Sequence, residues 1–103
     1  MNALTERIIG AAFDVSNTLG AGFLEKVREN ALACELRLLG FVVAQKCGIS
    51  VYHKDVVVEL KVVQALNEFH VAQCVNDLRA TGKSICLLMN FAKPRLEFCR
   101  IVL

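Results

Sequence analysis

From residue 56 to residue 63 the chain reads V-V-V-E-L-K-V-V, and the two faces of that run differ. Side chains alternate across a strand, so Val56, Val58, Leu60 and Val62 form an unbroken apolar row. Val57, Glu59, Lys61 and Val63 point the other way and set an acid beside a base among valines. Elsewhere the apolar period is helical. Leu4, Ile8, Ala11, Val15 and Leu19 predict a helix over about residues 5–18, broken by the L-G-A-G run at 19–22. Leu24, Val27, Ala31, Cys34 and Leu38 predict a second over 23–39, with Gly40 as its stop. Two strands follow, over about 42–52 and 56–63, joined at His53, Lys54 and Asp55. Asn67 as N-cap and Gly82 as terminator bracket a helix over 67–81. Strands over 84–91 and 96–102 finish the chain. Its only proline, Pro94, falls in the turn between them, where a missing N–H does no harm.

The predicted order is α-α-β-β-α-β-β, which implies α/β or mixed α+β layers. The strand–helix–strand unit 56–63, 67–81, 84–91 predicts a crossover joining two parallel strands, the first of them central in the sheet. The crossover helix carries Val71, Cys74, Val75 and Leu78 as its apolar stripe. His70, Gln73 and Asp77 share another face, and that polar face can meet the Glu59/Lys61 end of the strand.

Composition narrows the picture. At 103 residues the length predicts one domain spanning 1–103. Hydrophobic residues reach 55% before the six glycines are counted, against roughly 45–50% with glycine in ordinary domains. That excess is hard to bury in a small monomer and predicts a homo-oligomer, most simply a homodimer. The expected interface is a sheet edge or the apolar helix face of Leu24, Val27, Ala31 and Leu38. A net charge of +2 shows no basic patch, so charge gives no support for nucleic-acid binding. Five cysteines with no C-x-x-C spacing argue against a zinc site. With no secretory signal read from the sequence, they predict a reduced, cytoplasmic chain. No apolar run is long enough to cross a bilayer.

Four segments carry a resemblance: G-A-G-F-L-E-K-V-R-E-N (20–30), V-V-V-E-L-K-V-V (56–63), H-V-A-Q-C-V-N-D-L-R-A-T-G (70–82) and L-L-M-N-F-A-K-P-R-L-E-F-C-R-I-V (87–102). In this order, over nearly the whole chain, they resemble the small bacterial GxxExxY family, a branch of the PD-(D/E)XK nuclease-like superfamily. The resemblance implies a restriction-endonuclease-like mixed sheet flanked by helices and a site for a divalent metal such as Mg²⁺. It implies Glu59 as metal carboxylate, Lys61 as catalytic lysine, Glu25 as the glutamate of the first motif and Gln73 as the glutamine of Q-x-x-x-Y. The chain departs from the family at three places. The tyrosine of GxxExxY falls at Arg28, and that of Q-x-x-x-Y at Asp77. The strand that brings the metal-binding aspartate in relatives is missing between residues 54 and 56, which leaves Asp55 as the nearby candidate to replace it as a metal ligand.

With one of two carboxylates lost, the sequence predicts a degenerate, catalytically inactive member with a binding or assembly role. The alternative is an active Mg²⁺-dependent DNA nuclease that uses Glu59 and Lys61 with a rearranged second carboxylate. Each residue also has an ordinary explanation. Glu59 and Lys61 would be a same-face ion pair, Glu25 an acid at a helix start, and His70, Gln73 and Asp77 a solvated helix face.

Overall fold

Gly48 divides the first predicted strand in two. In a computed structural model, which describes residues 3–19, 25–46, 48–90 and 97–103, the segment expected as one strand over 42–52 is a hairpin. Its strands are β1 (Val42–Lys46) and β2 (Gly48–His53), antiparallel, with Val43 opposite Val51 and Lys46 opposite Gly48. Gly48 has φ +105, and a Cβ built there would lie 2.6 Å from the Leu60 carbonyl oxygen. Only glycine meets both conditions. Replacing Gly48 with alanine is expected to destabilise the fold by about 3 kcal/mol, the upper end of a backbone-strain cost, measured as a lower urea midpoint at unchanged m.

The chain divides into two units, residues 1–41 and 42–103. In the first, α1 (Ala3–Leu19) buries Ile8, Ala11 and Ala12, and α2 (Glu25–Leu38) buries Leu32, Ala33 and Leu36. The α2 stripe expected from periodicity is not the buried one: Cys34 is exposed, and Val27 and Leu38 are 41% and 77% exposed. Two neighbouring stripes of this helix are apolar, and local spacing cannot rank them. Arg7 ties the unit together, donating to the Leu39 carbonyl at 3.2 Å and lying 4.7 Å above the Phe41 ring.

The second unit is a five-stranded sheet in the order β1-β2-β3-β4-β5, with β3 (Val56–Lys61) at its centre. The sequence predicted two strands before the crossover helix, and the hairpin makes three. β3 runs antiparallel to β2 and parallel to β4 (Ile85–Asn90), as the strand–helix–strand spacing predicts. β5 (Glu97–Val102) closes the other edge, antiparallel to β4. Between β3 and β4 the chain forms α3 (Glu68–Thr81), whose Cys74 and Leu78 pack on Val57, Cys86 and Leu88. On the opposite sheet face Ile49, Val51, Val58, Leu60, Leu87 and Met89 are buried too. A strand buried on both faces explains the unbroken apolar row.

Asn67 caps α3 as expected: its side chain accepts from the Phe69 and His70 amides at 2.9 and 3.3 Å. His70 Nδ1 accepts from the Asn67 amide at 3.1 Å, so the histidine takes the part that glutamate usually plays in a capping box. His70 is thereby buried at the helix start, not placed on a solvated face. Gly82, at φ +73, ends the helix by donating to the Leu78 carbonyl at 2.9 Å. Among the described residues no helix is long and apolar enough to cross a membrane.

Candidate functional site

The β2–β3 register sets Ser50 opposite Glu59 and Tyr52 opposite Val57. Ser50 and Tyr52 therefore lie on the face of β3 that carries Glu59 and Lys61, the face that receives α3. Ser50 Oγ donates to Glu59 Oε1 at 2.7 Å, and Tyr52 shares a hydrogen bond with Ser50. Asp77, from α3, shares a hydrogen bond with Glu59. Two carboxyl groups from different elements thus meet at one point. Beside them the Lys61 side chain lies over Gly48: a Cβ at Gly48 would sit 3.3 Å from Lys61 Nζ. The absent glycine side chain makes that room.

Glu59 is 3% exposed and Lys61 6%, so neither is a solvated surface charge. Burial pushes the Glu59 carboxyl up, and the hydrogen bond and charge of Asp77 push it further, to about 8. The Ser50 hydroxyl and the Lys61 ammonium pull the other way without reversing the sum. Burial, with the Asp77 charge second, also raises the Tyr52 phenol.

The structure brings together two of the five residues singled out in the sequence and places a third on the helix above them. Glu59 and Lys61 share their face of β3, and Gln73 lies on α3 one turn before Asp77. Asp55 is not with them. It sits in the turn before β3, about 13 Å from Glu59 along the strand at ~3.3 Å per residue. Its carboxylate accepts from the Ser84 amide at 3.2 Å and from the Ser84 hydroxyl, fastening that turn to the start of β4. Glu25 opens α2, but its side chain lies outside the described residues. The sequence placed Asp77 on the polar helix face that can meet Glu59 and Lys61 but assigned it no ligand role, and it did not mark Ser50 or Tyr52. The signal for all three was the shared face: positions 50 and 52 alternate with the core of β2, and 77 follows 73 at i+4.

Asn90, at the end of β4 and 0% exposed, is a further residue the sequence did not mark. Its Oδ1 accepts from the Val63 amide at 3.1 Å, and its Nδ2 donates to the Val63 carbonyl at 2.8 Å. This amide-to-backbone pairing holds the chain directly after Lys61.

The donors around Glu59 suit a hard cation. The Glu59 and Asp77 carboxyl groups and the Ser50 hydroxyl are all oxygen ligands, and on α3, one turn before Asp77, Gln73 Oε1 is buried with no hydrogen-bond partner among the described residues. No group of three His, Cys, Asp or Glu side chains that could hold a metal occurs among those residues. A cation here would have two carboxylates and take its other ligands from neutral oxygens, water and substrate, as Mg²⁺ commonly does. The neighbouring thiols do not compete. The Cys74 thiol beside Cys86, and then burial, push Cys86 far up, so it stays neutral.

A family model described as the PD-(D/E)XK nuclease superfamily matches residues 2–101 of this chain. No curated protein matches it, and no solved structure matches it. Among the described residues of this chain, a five-stranded mixed sheet and three helices agree with a restriction-endonuclease-like fold.

Proposed function

This chain belongs to the PD-(D/E)XK nuclease superfamily, and from that premise we propose that it hydrolyses phosphodiester bonds in DNA with a divalent cation such as Mg²⁺. Within the superfamily we place it in the GxxExxY branch, on Gly22 and Glu25 at the motif spacing and on the E-x-K of Glu59 and Lys61. One observation supports activity above all: Glu59 and Lys61 are buried side by side on the central strand. Burying a carboxyl and an ammonium works against folding. Such a local conflict is what a functional site retains.

In this reading Glu59 is the metal carboxylate. Ser50, with Tyr52 behind it, fixes the orientation of Glu59 by donating to Oε1. Lys61 places a positive charge where negative charge develops on the phosphoryl oxygens. A bound cation supplies Lewis-acid polarisation of the phosphate and an activated water. The modest net charge of +2 leaves phosphate contacts few, so binding depends on the site itself.

A second reading has one observation in its favour. The side chain facing Glu59 on the adjacent strand is a hydroxyl, Ser50, not a carboxylate. In that reading the protein is catalytically inactive and acts by binding or by assembly as a homodimer.

The deciding experiment measures cleavage of single- and double-stranded DNA with Mg²⁺, with Mn²⁺ and with excess chelator. Glu59→Gln and Lys61→Met are each expected to slow cleavage by at least about 100-fold, and chelator to abolish it. Absence of cation-dependent cleavage, together with a light-scattering mass twice 11.4 kDa, would select the second reading.

A further inference from the structure

Gln73 and Asp77 stand four residues apart on α3, so their side chains are neighbours on one helix face. Asp77 is half-buried and reaches the Glu59 carboxyl. Gln73 is half-buried too, and its Oε1 is fully enclosed with no hydrogen-bond partner among the described residues. The two features are separate anomalies. A buried acceptor without a donor is costly and uncommon. Two carboxyl groups brought together in a desolvated place repel unless a proton or a cation lies between them. A water molecule would relieve the first anomaly and leave the second. A small hard cation relieves both, because amide and carboxylate oxygens are its preferred ligands.

We propose that α3 supplies the second half of the cation site, with Asp77 as the second carboxylate and Gln73 Oε1 as a neutral oxygen ligand. This deepens the proposed function and rests on its assignment of Glu59 as the first metal carboxylate. The ligands come from β3 and α3, so Glu59, Asp77 and Gln73 would tie the crossover helix to the sheet when a cation is bound. The carboxylate that the E-x-K strand lacks on its neighbour β2 is supplied from above, by the helix. Asp55 has no part in the site, because its carboxylate is committed to Ser84 at the other end of β3.

The test is direct binding of Mn²⁺ and Mg²⁺ alone to chelator-stripped protein, by titration calorimetry, with thermal melting in the presence and absence of Mn²⁺. Wild-type protein is expected to bind and to melt at a higher temperature with Mn²⁺. Asp77→Asn, close in shape, is expected to weaken Mn²⁺ binding by at least about 10-fold and to remove the melting shift. Gln73→Met, of similar length but without the oxygen, is expected to weaken it by about 3-fold or more. Asp55→Asn is expected to bind as wild type. Wild-type affinity in both Asp77→Asn and Gln73→Met overturns the inference. If Glu59→Gln alone then abolishes binding, the nuclease reading survives without it. Failure of the wild-type protein to bind either cation overturns both.

Discussion

In metal-free buffer at pH 8, replacing Glu59 with glutamine is expected to stabilise this protein by about 2–4 kcal/mol. The carboxyl is raised from an ordinary value of 4.5 to about 8, first by burial and then by Asp77. Each tenfold gain in proton affinity corresponds to about 1.4 kcal/mol of preference for the protonated form. The full shift would give about 5 kcal/mol, and local relaxation and water entry lower that figure. The sign follows from linkage. The folded state holds this proton more tightly than the unfolded state, so the stabilising contribution is fully present below about pH 4.5. It diminishes across the interval and is lost as the pH rises through about 8. Wild-type stability is therefore expected to fall with pH between about 5 and 8. The glutamine variant keeps the geometry: its amide oxygen accepts from Ser50 and its NH₂ donates to Asp77. It has no proton to lose, so its stability curve should be flatter over the same interval. Urea unfolding of both proteins at pH 5, 6, 7 and 8 measures this. Equal slopes, or a variant less stable than wild type at pH 8, would refute it. A substitution that is expected to slow cleavage at least about 100-fold is thus expected to strengthen the fold, the opposition that a strained functional carboxyl produces.

Asn90→Ala is expected to cost about 3–4 kcal/mol, the sum of two orphaned backbone groups at roughly 1–3 kcal/mol each. Asn90 is 0% exposed, and its side chain pairs with both the amide and the carbonyl of Val63. Nδ2 also lies 3.4 Å from Glu97 Oε1, which accepts from the Leu66 amide at 3.0 Å. The side chain thus continues the β3–β4 pairing past Lys61. Asn90→Asp should be nearly as harmful, because a carboxylate can accept from the Val63 amide but repels its carbonyl. A loss under about 1 kcal/mol for the alanine variant would show that water substitutes for this clamp. Because Val63 follows Lys61 by two residues, cleavage should fall along with stability in both variants.

Several elements were legible along the chain because their causes are local. Asn67 and Gly82 mark the ends of α3 through hydrogen bonds within four residues of themselves. The valine-rich run at 56–63 reads as a central strand because one of its faces is an unbroken apolar row; that the Glu59/Lys61 face is buried as well was decided by packing. The helix between two apolar strands implied that β3 and β4 run parallel, and they do. In the first unit the same local reading failed for α2, where two stripes are apolar and only packing chose Leu32, Ala33 and Leu36.

The candidate site divides along the same line. The sequence by itself determined that Glu59 and Lys61 share one face of a central strand, because alternation across a strand is a property of the backbone. It also determined that Gln73 and Asp77 share one face of a helix, because 3.6 residues complete a turn. Only the tertiary structure decided that these two faces meet. It likewise decided that β2, folded back at Gly48, presents Ser50 to Glu59, and that Asp55 is held by Ser84 at the far end of the strand. Those outcomes depend on register and on which helix face is buried, and both are settled by contacts between residues far apart in sequence. Periodicity orders side chains within an element; the partner each one meets is set by packing energies summed over the whole core.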